Sequence, residues 1–162
     1  MLFRSTSTDF VRVGDEILDR GDYSGPGGAR MLLRDPRLEF AVLEVARGGI
    51  LRRGLALQRA QAGLVTNVAA DHLGQYGINT VAELTQAKFA VFRTLADGSV
   101  LVLNADDAGL VAYAGRQQRE MAARDITVWW FSLDGDNPCI AAAKEAGTPC
   151  AWLDGTALVF FD

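Results

Sequence analysis

The chain has 162 residues, with 16 Lys and Arg against 20 Asp and Glu for a net charge of −4, and is 49% hydrophobic and 22% charged. That balance excludes a disordered or fibrous chain and leaves no basic footprint for nucleic acid. No apolar run approaches the roughly 18 residues that a membrane-spanning helix needs, and no signal-peptide pattern opens the chain. A soluble, cytoplasmic protein of one domain is expected, with neither nucleic acid nor membrane as a partner. Cys139 and Cys150 have no CxxC or histidine neighbour and read as reduced, small core residues.

In chain order, "FVRVGDEIL" (10–18) predicts a hairpin turning at Gly14-Asp15, and "SGPGGARMLLRDP" (24–36) a short helix opened near Ser24 and stopped by Asp35-Pro36. The runs "FAVLEVA" (40–46), "AGLVTNVA" (62–69), "SVLVLNAD" (99–106) and "TVWWFSL" (127–133) are continuous rather than alternating. Such runs mark strands of a parallel sheet covered on both faces. Helical patterns lie between them, at 81–95 and about 108–123. "NPCIAAAKEAG" then predicts a helix closed by Gly147, and "CAWLDGTALVFF" a hairpin turning at Asp154-Gly155. The fold class expected is α/β: a three-layer, mostly parallel sheet with flanking helices and a C-terminal β-hairpin. With no repeat or long linker, residues 1–162 read as a single domain.

Ligands of open parallel sheets sit beyond the carboxyl ends of the strands. Three such ends carry polar groups: Glu44 after the first run, Thr66-Asn67 leading to Asp71-His72 after the second, and Asn104 to Asp107 after the third. Asn and Asp at these places commonly form turns and caps, but three polar strand ends converging on one edge point to a site. His72 is the only histidine in the chain.

Residues 80–95, "TVAELTQAKFAVFRTL", hold a lysine in an unexpected place. Thr80 and Glu83 form a capping-box pattern that starts a helix. At 100° per residue, Val81, Leu84, Val91, Phe92 and Leu95 share one apolar stripe, with Lys88 in its middle. Such a lysine either snorkels along its stem or uses burial to hold a reactive amine, one product of which is a carbamate formed with carbon dioxide.

Taken together, "LEVARGGILRRGL" (43–55), "VTNVAADHLG" (65–74), the downstream Lys88 and "VLNADD" (102–107) resemble the central ATPase domain of the Mur-type ligases. Within that superfamily the chain is most similar to the cyanophycin synthetase family, in its carboxyl-side ligase half. "GDYSGPGGAR" (21–30) and the tail from 131 to 161 share the likeness, so it covers nearly the whole chain. "ARGGILRRGL" with "DHLG" is specific; Mur ligases at large more often carry Asp where Gly74 stands. The resemblance implies an ATP-dependent, ADP-forming amide ligase: ATP phosphorylates a carboxylate and an amine attacks the acyl phosphate. For the cyanophycin branch the acceptor is the β-carboxylate of a poly-aspartate chain and the amine is that of arginine. It implies catalytic and magnesium-holding roles for Glu44, His72 and Lys88, the last as a carbamate. Asn67 and Asp71 would order the nucleotide loop, Asn104 would meet the adenine, and Ser24 in "DYSGP" and Arg47 would contact the acceptor. Magnesium favours hard oxygens and phosphate, so a histidine ligand rests on the family more than on the chemistry.

One element of that family is not in the sequence. No GxxxxGK(S/T) phosphate loop occurs in the 162 residues, and "SGPGG" (24–28) lacks the lysine and hydroxyl that would substitute for it. The chain therefore reads as a partial central domain, incomplete at its N-terminus and without the domain that receives the amino acid. Phe10 also stands where the family tends to have glycine. The missing strand would lie between those ending in Glu44 and Asn67, so closure is expected by re-pairing, by a second copy or by a complementary loop-bearing chain. Two functions follow: a ligase fragment inactive on its own, or a degenerate, non-enzymatic paralogue that binds polymer or a partner ligase.

Overall fold

The computed structural model describes residues 3–36, 38–71 and 73–162, which form two compact units, Met1–Gln58 and Arg59–Asp162. The first unit contains β1 (Phe3–Thr6), β2 (Phe10–Val13), β3 (Glu16–Arg20), α1 (Pro26–Leu33), β4 (Phe40–Leu43) and α2 (Arg47–Arg53). Its sheet runs β3-β2-β1-β4, with β1 and β4 parallel and the other neighbours antiparallel. The hairpin turns at Gly14-Asp15 as expected, with Gly14 at φ 56°, a conformation that glycine adopts without steric cost.

Arg4, Thr6 and Val11 share one face of this sheet and are 4%, 3% and 2% exposed. From that face Arg4 reaches Asp35, just past α1, at 2.5 Å. Ala29 and Leu32 of α1 are buried, and α1 packs on β1 and β4. Helix α1 starts one residue later than Ser24 would have it: Gly25 is its N-cap and Pro26 its first residue, where the fixed proline φ suits the helix. Helix α2 is not expected from its sequence, because Gly48 and Gly49 disfavour helix. A Cβ on Gly49 would come within 3.3 Å of Pro26 Cδ, so the glycine lets α2 lie against the start of α1.

The second unit contains β5 (Ala60–Val65), α3 (Val81–Lys88), β6 (Leu95–Asn104), α4 (Ala108–Ala123), β7 (Thr127–Ser132), α5 (Pro138–Glu145), β8 (Cys150–Asp154) and β9 (Ala157–Phe161). The sheet order is β5-β6-β7-β8-β9, parallel except for the final β8–β9 hairpin. This is the α/β arrangement of a mostly parallel sheet flanked by helices. Register places Val65, Leu101, Leu103, Val128, Trp130 and Cys150 on one face. Against it pack Phe89, Phe92, Leu110, Ala114 and Met121, and, further along, Ile140 and Ala143. The continuous strand runs lead one to expect cover on both faces. On the other face, however, Leu64, Trp129, Leu158 and Phe160 are 55%, 37%, 63% and 71% exposed. None of the described helices is long and apolar enough to cross a membrane.

The stretch 81–95 departs from a single helix. The capping box is present, with Glu83 N–H donating to Thr80 Oγ1 at 3.2 Å and Thr80 N–H to Glu83 Oε2 at 3.0 Å. After Lys88, however, the chain tightens into a 3-10 segment, Phe89–Thr94. Side chains three apart eclipse in that geometry, so Phe89 and Phe92 are buried on one side of the segment; Val81, at the start of α3, is 39% exposed. The stripe is thus broken at Lys88, whose side chain is half-buried instead of sequestered.

Candidate functional site

In the first unit the parallel ends of β1 and β4 carry the polar groups. Glu44 N–H donates to Thr6 O at 3.2 Å, continuing the β1–β4 ladder by one residue. Its carboxylate Oε2 accepts the Thr8 N–H at 3.1 Å. The "DYSGP" segment closes on the same edge, since Tyr23 N–H donates to Ser7 O at 2.8 Å and Ala46 N–H to Ser24 O at 3.1 Å. Ser24 is 2% exposed, and its hydroxyl donates to Asp22 Oδ1 at 2.6 Å. That hydroxyl, and then the Ser24 N–H, hold the Asp22 carboxyl below the usual carboxylate range. Ser24 therefore shapes the loop from within. Arg47 opens α2, half-buried and engaged with its surroundings.

In the second unit, β5 and β6 end side by side, and the loop leaving β5 is pinned at its root. Lys88 Nζ donates to Asn67 O at 2.9 Å. Asp107 Oδ2 accepts the Val68 N–H at 2.6 Å, and its Oδ1 accepts the Leu110 N–H at 3.0 Å as the N-cap of α4. The Asn67 side chain is exposed, with Thr66 Oγ1 donating to its Oδ1 at 3.2 Å. Asp71 is exposed in a tight turn, its N–H on Ala69 O at 2.8 Å. His72 lies outside the described residues. Gly74 follows at φ 84°, a left-handed conformation that glycine adopts without steric cost.

Asn104 uses its side-chain oxygen to accept the Asp106 N–H at 2.8 Å. Asp106 in turn joins the ends of β6 and β7: it accepts from Ser132 Oγ at 2.5 Å, from Leu133 N–H at 2.7 Å and from Asn137 Nδ2 at 3.2 Å. Desolvation is the largest single influence on Asp106 and pushes its pKa up, yet the three donations together outweigh it and leave the carboxyl lowered. Cys150 is buried and Cys139 half-buried, both as free thiols, and burial raises both.

The residues expected from the sequence thus fall into two sets, each described within its own unit: Glu44, Ser24 and Arg47 in the first, Asn67, Asp71, Lys88 and Asn104 in the second. Lys88 and Asn67 are in direct contact. Among the described residues, no three His, Cys, Asp or Glu side chains gather as a metal cluster. Sequence reasoning placed Asp107 at a polar strand end, where caps are common, but did not foresee that its second oxygen holds the Val68 amide. It also overlooked the use of Glu44 to hold the Thr8 amide, which no local spacing reveals.

Comparison with known proteins places the chain among ligases. Cyanophycin synthetases from Synechocystis sp. and Trichormus variabilis are 42% and 44% identical to the chain over 135 and 142 residues, 83% and 88% of its length. The chain spans about 15% of the length of these relatives. The UDP-N-acetylmuramoyl-tripeptide–D-alanyl-D-alanine ligase of Escherichia coli is 30% identical over 143 residues, covering 86% of the chain and 30% of that protein. The Mur ligase middle domain family matches residues 27–148, so the chain, with its polar strand ends on a mostly parallel sheet, belongs to that family of ligases.

Proposed function

We propose that this chain is the nucleotide-handling part of a cytoplasmic, ATP-dependent, ADP-forming amide ligase of the cyanophycin synthetase type. In that reading ATP phosphorylates the β-carboxylate of a poly-aspartate chain, and the amine of arginine displaces the phosphate to form the amide. The observation that carries it is the 42–44% identity to cyanophycin synthetases along most of the chain. The polar strand ends supply residues suited to the task. Asn67 and Asp71 are exposed on the loop leaving β5, where nucleotide phosphates would approach, and Asn104 ends β6, where an adenine would lie. Arg47 and the loop around Ser24 would meet the acceptor.

Magnesium, when bound, offsets charge on the transferring phosphoryl group. The donor set suits it in part: Glu44 offers a hard carboxylate oxygen, whereas Lys88, donating to a carbonyl, is not a ligand as it stands. Lys88 would join only as a carbamate, formed when its neutral amine adds to carbon dioxide and releases a proton. The family resemblance assigns a magnesium-holding role to His72 as well, which lies outside the described residues. With no GxxxxGK(S/T) run in the 162 residues, the phosphate cradle has to come from another stretch of polypeptide or another chain.

The test is ADP release with poly-aspartate and arginine, alongside calorimetric titration with Mg·ATP. These 162 residues alone are expected to bind Mg·ATP weakly and release no ADP. A version extended by a loop-bearing strand and helix, and supplied with an arginine-binding domain, is expected to release ADP and to lose that activity with Lys88→Ala. A folded, extended protein that binds the polymer but never turns over ATP would replace the ligase reading with that of a polymer-binding paralogue.

A further inference from the structure

The Asn67 carbonyl and the Val68 N–H belong to a single peptide unit. Lys88 donates to its oxygen at 2.9 Å and Asp107 accepts from its nitrogen at 2.6 Å. An ammonium faces the negative end of this peptide and a carboxylate its positive end, so both charges favour one orientation, and hydrogen bonds in such a chain strengthen one another. Bonds to charged groups are also roughly twice as strong as neutral ones. The two side chains come from distant parts of the sequence, 21 residues after Asn67 and 39 after Val68. Gly109 leaves room for the carboxylate, since a Cβ there would lie 3.1 Å from Asp107 Oδ1.

We propose that Asp107 is a positioning residue: with Lys88 it clamps the Asn67–Val68 peptide and so fixes how the loop bearing Asn67 and Asp71 leaves the end of β5. What that loop is positioned for rests on the ligase reading; the clamp itself rests on this geometry, in which Lys88 is the free ammonium, and a carbamate at Lys88 would keep one N–H for the Asn67 carbonyl while losing the positive charge.

The competing explanation is that Asp107 only caps α4, and the two can be separated. Asp107 uses one oxygen for Leu110 and the other for Val68. Asparagine is as good an N-cap as aspartate but has a single acceptor oxygen. Asp107→Asn therefore keeps the cap and turns an NH2 group toward the Val68 N–H, whereas a residue that is only a cap tolerates the change. The experiment is residue-resolved amide exchange by NMR on the full chain, for wild type, Asp107→Asn, Lys88→Met and the double variant. In Asp107→Asn, Val68 exchange should accelerate by about tenfold or more, as loss of a charged hydrogen bond implies, with Leu110 little changed. In Lys88→Met, Val68 should also exchange faster although Lys88 does not touch that amide, and the double variant should fall short of the product of the two effects.

Wild-type exchange at Val68 in Asp107→Asn, or equal acceleration at Val68 and Leu110, would overturn the proposal. If Asp107→Asn fails to fold, Lys88→Met alone decides: an unchanged Val68 there removes the clamp. Titrating the same proteins with Mg·ATP keeps the two readings apart. Selective loss of Val68 protection, with no nucleotide bound by any of the proteins or by the loop-extended form, leaves the clamp standing and ends the ligase reading.

Discussion

Arg4 and Leu101 lie inside their respective sheets and are 4% and 0% exposed, yet their surroundings differ in kind. Around Arg4 the buried neighbours along the chain are Ser5 and Thr6, and its partner is Asp35. Around Leu101 are Val65, Phe92, Leu95, Leu103, Leu110 and Met121, with no charge among them. Of the buried apolar residues described, only Val11, Pro26, Ala29 and Leu32 belong to the first unit. The second unit is held by area removed from water, whereas the first buries an ion pair and polar strand ends, with Arg4 Nε and Thr6 Oγ1 left without a hydrogen-bond partner among the described residues. The contrast suits the chemistry. Buried polar groups cost stability unless satisfied, so they collect where orientation matters more than cohesion.

The comparison can be broken most directly at Leu101. Leu101→Ala should lower unfolding free energy by about 4 kcal/mol, in the upper range for a leucine with no room to relax, measured by urea denaturation. A loss under about 1 kcal/mol would mean that this core is looser than its burial implies. In the first unit, Asp35→Asn removes the anion facing a guanidinium whose side chain is 5% exposed. It should cost about 3 kcal/mol and loosen amide exchange in β1 and α1. An unchanged exchange pattern would show that hydrogen bonding, not charge, holds Arg4. At the margin of the second unit, Thr80→Ala should cost about 1 kcal/mol by removing the acceptor for Glu83 N–H at the start of α3.

The smallest effect concerns pH. Asp106 has its carboxyl lowered from 3.8 in the folded chain, so the stability it lends is fully present above that value and fades as pH falls through the region below it. Being largely exposed, it should contribute only about 0.5 kcal/mol. The gap in urea midpoint between wild type and Asp106→Asn should therefore narrow between pH 5 and pH 3, values chosen to lie about one unit on either side of the carboxylate range. A gap that widens on acidification would reverse the sign assigned here.

Local chemistry made part of this legible in advance. Continuous apolar runs located β5, β6 and β7, and the turn dipeptides Gly14-Asp15 and Asp154-Gly155 located both hairpins. The pattern at about 108–123 located α4, whose N-cap in the structure is Asp107. Other elements depend on what the chain meets elsewhere. Strand β1 is four residues long and ends in Ser5-Thr6, so it owes its place to pairing with β2 and β4. Helix α2 contains two glycines, one of which is needed for its approach to Pro26. The candidate residues were legible as strand ends, and of these Lys88 meets the Asn67 backbone. That Lys88 binds the Asn67 backbone rather than its side chain, with Asp107 at the other end of the same peptide, is a three-dimensional fact with no spacing rule behind it.

The open face of the five-stranded sheet has a practical consequence. Trp129 lies on it at 37% exposure, whereas Trp130 and Trp152 are partly buried and pack on the helix-covered side. With the latter two replaced by phenylalanine, Trp129 becomes an intrinsic optical probe of that face. A blue shift in its emission would report the arrival of anything that settles on the sheet, with no dye attached.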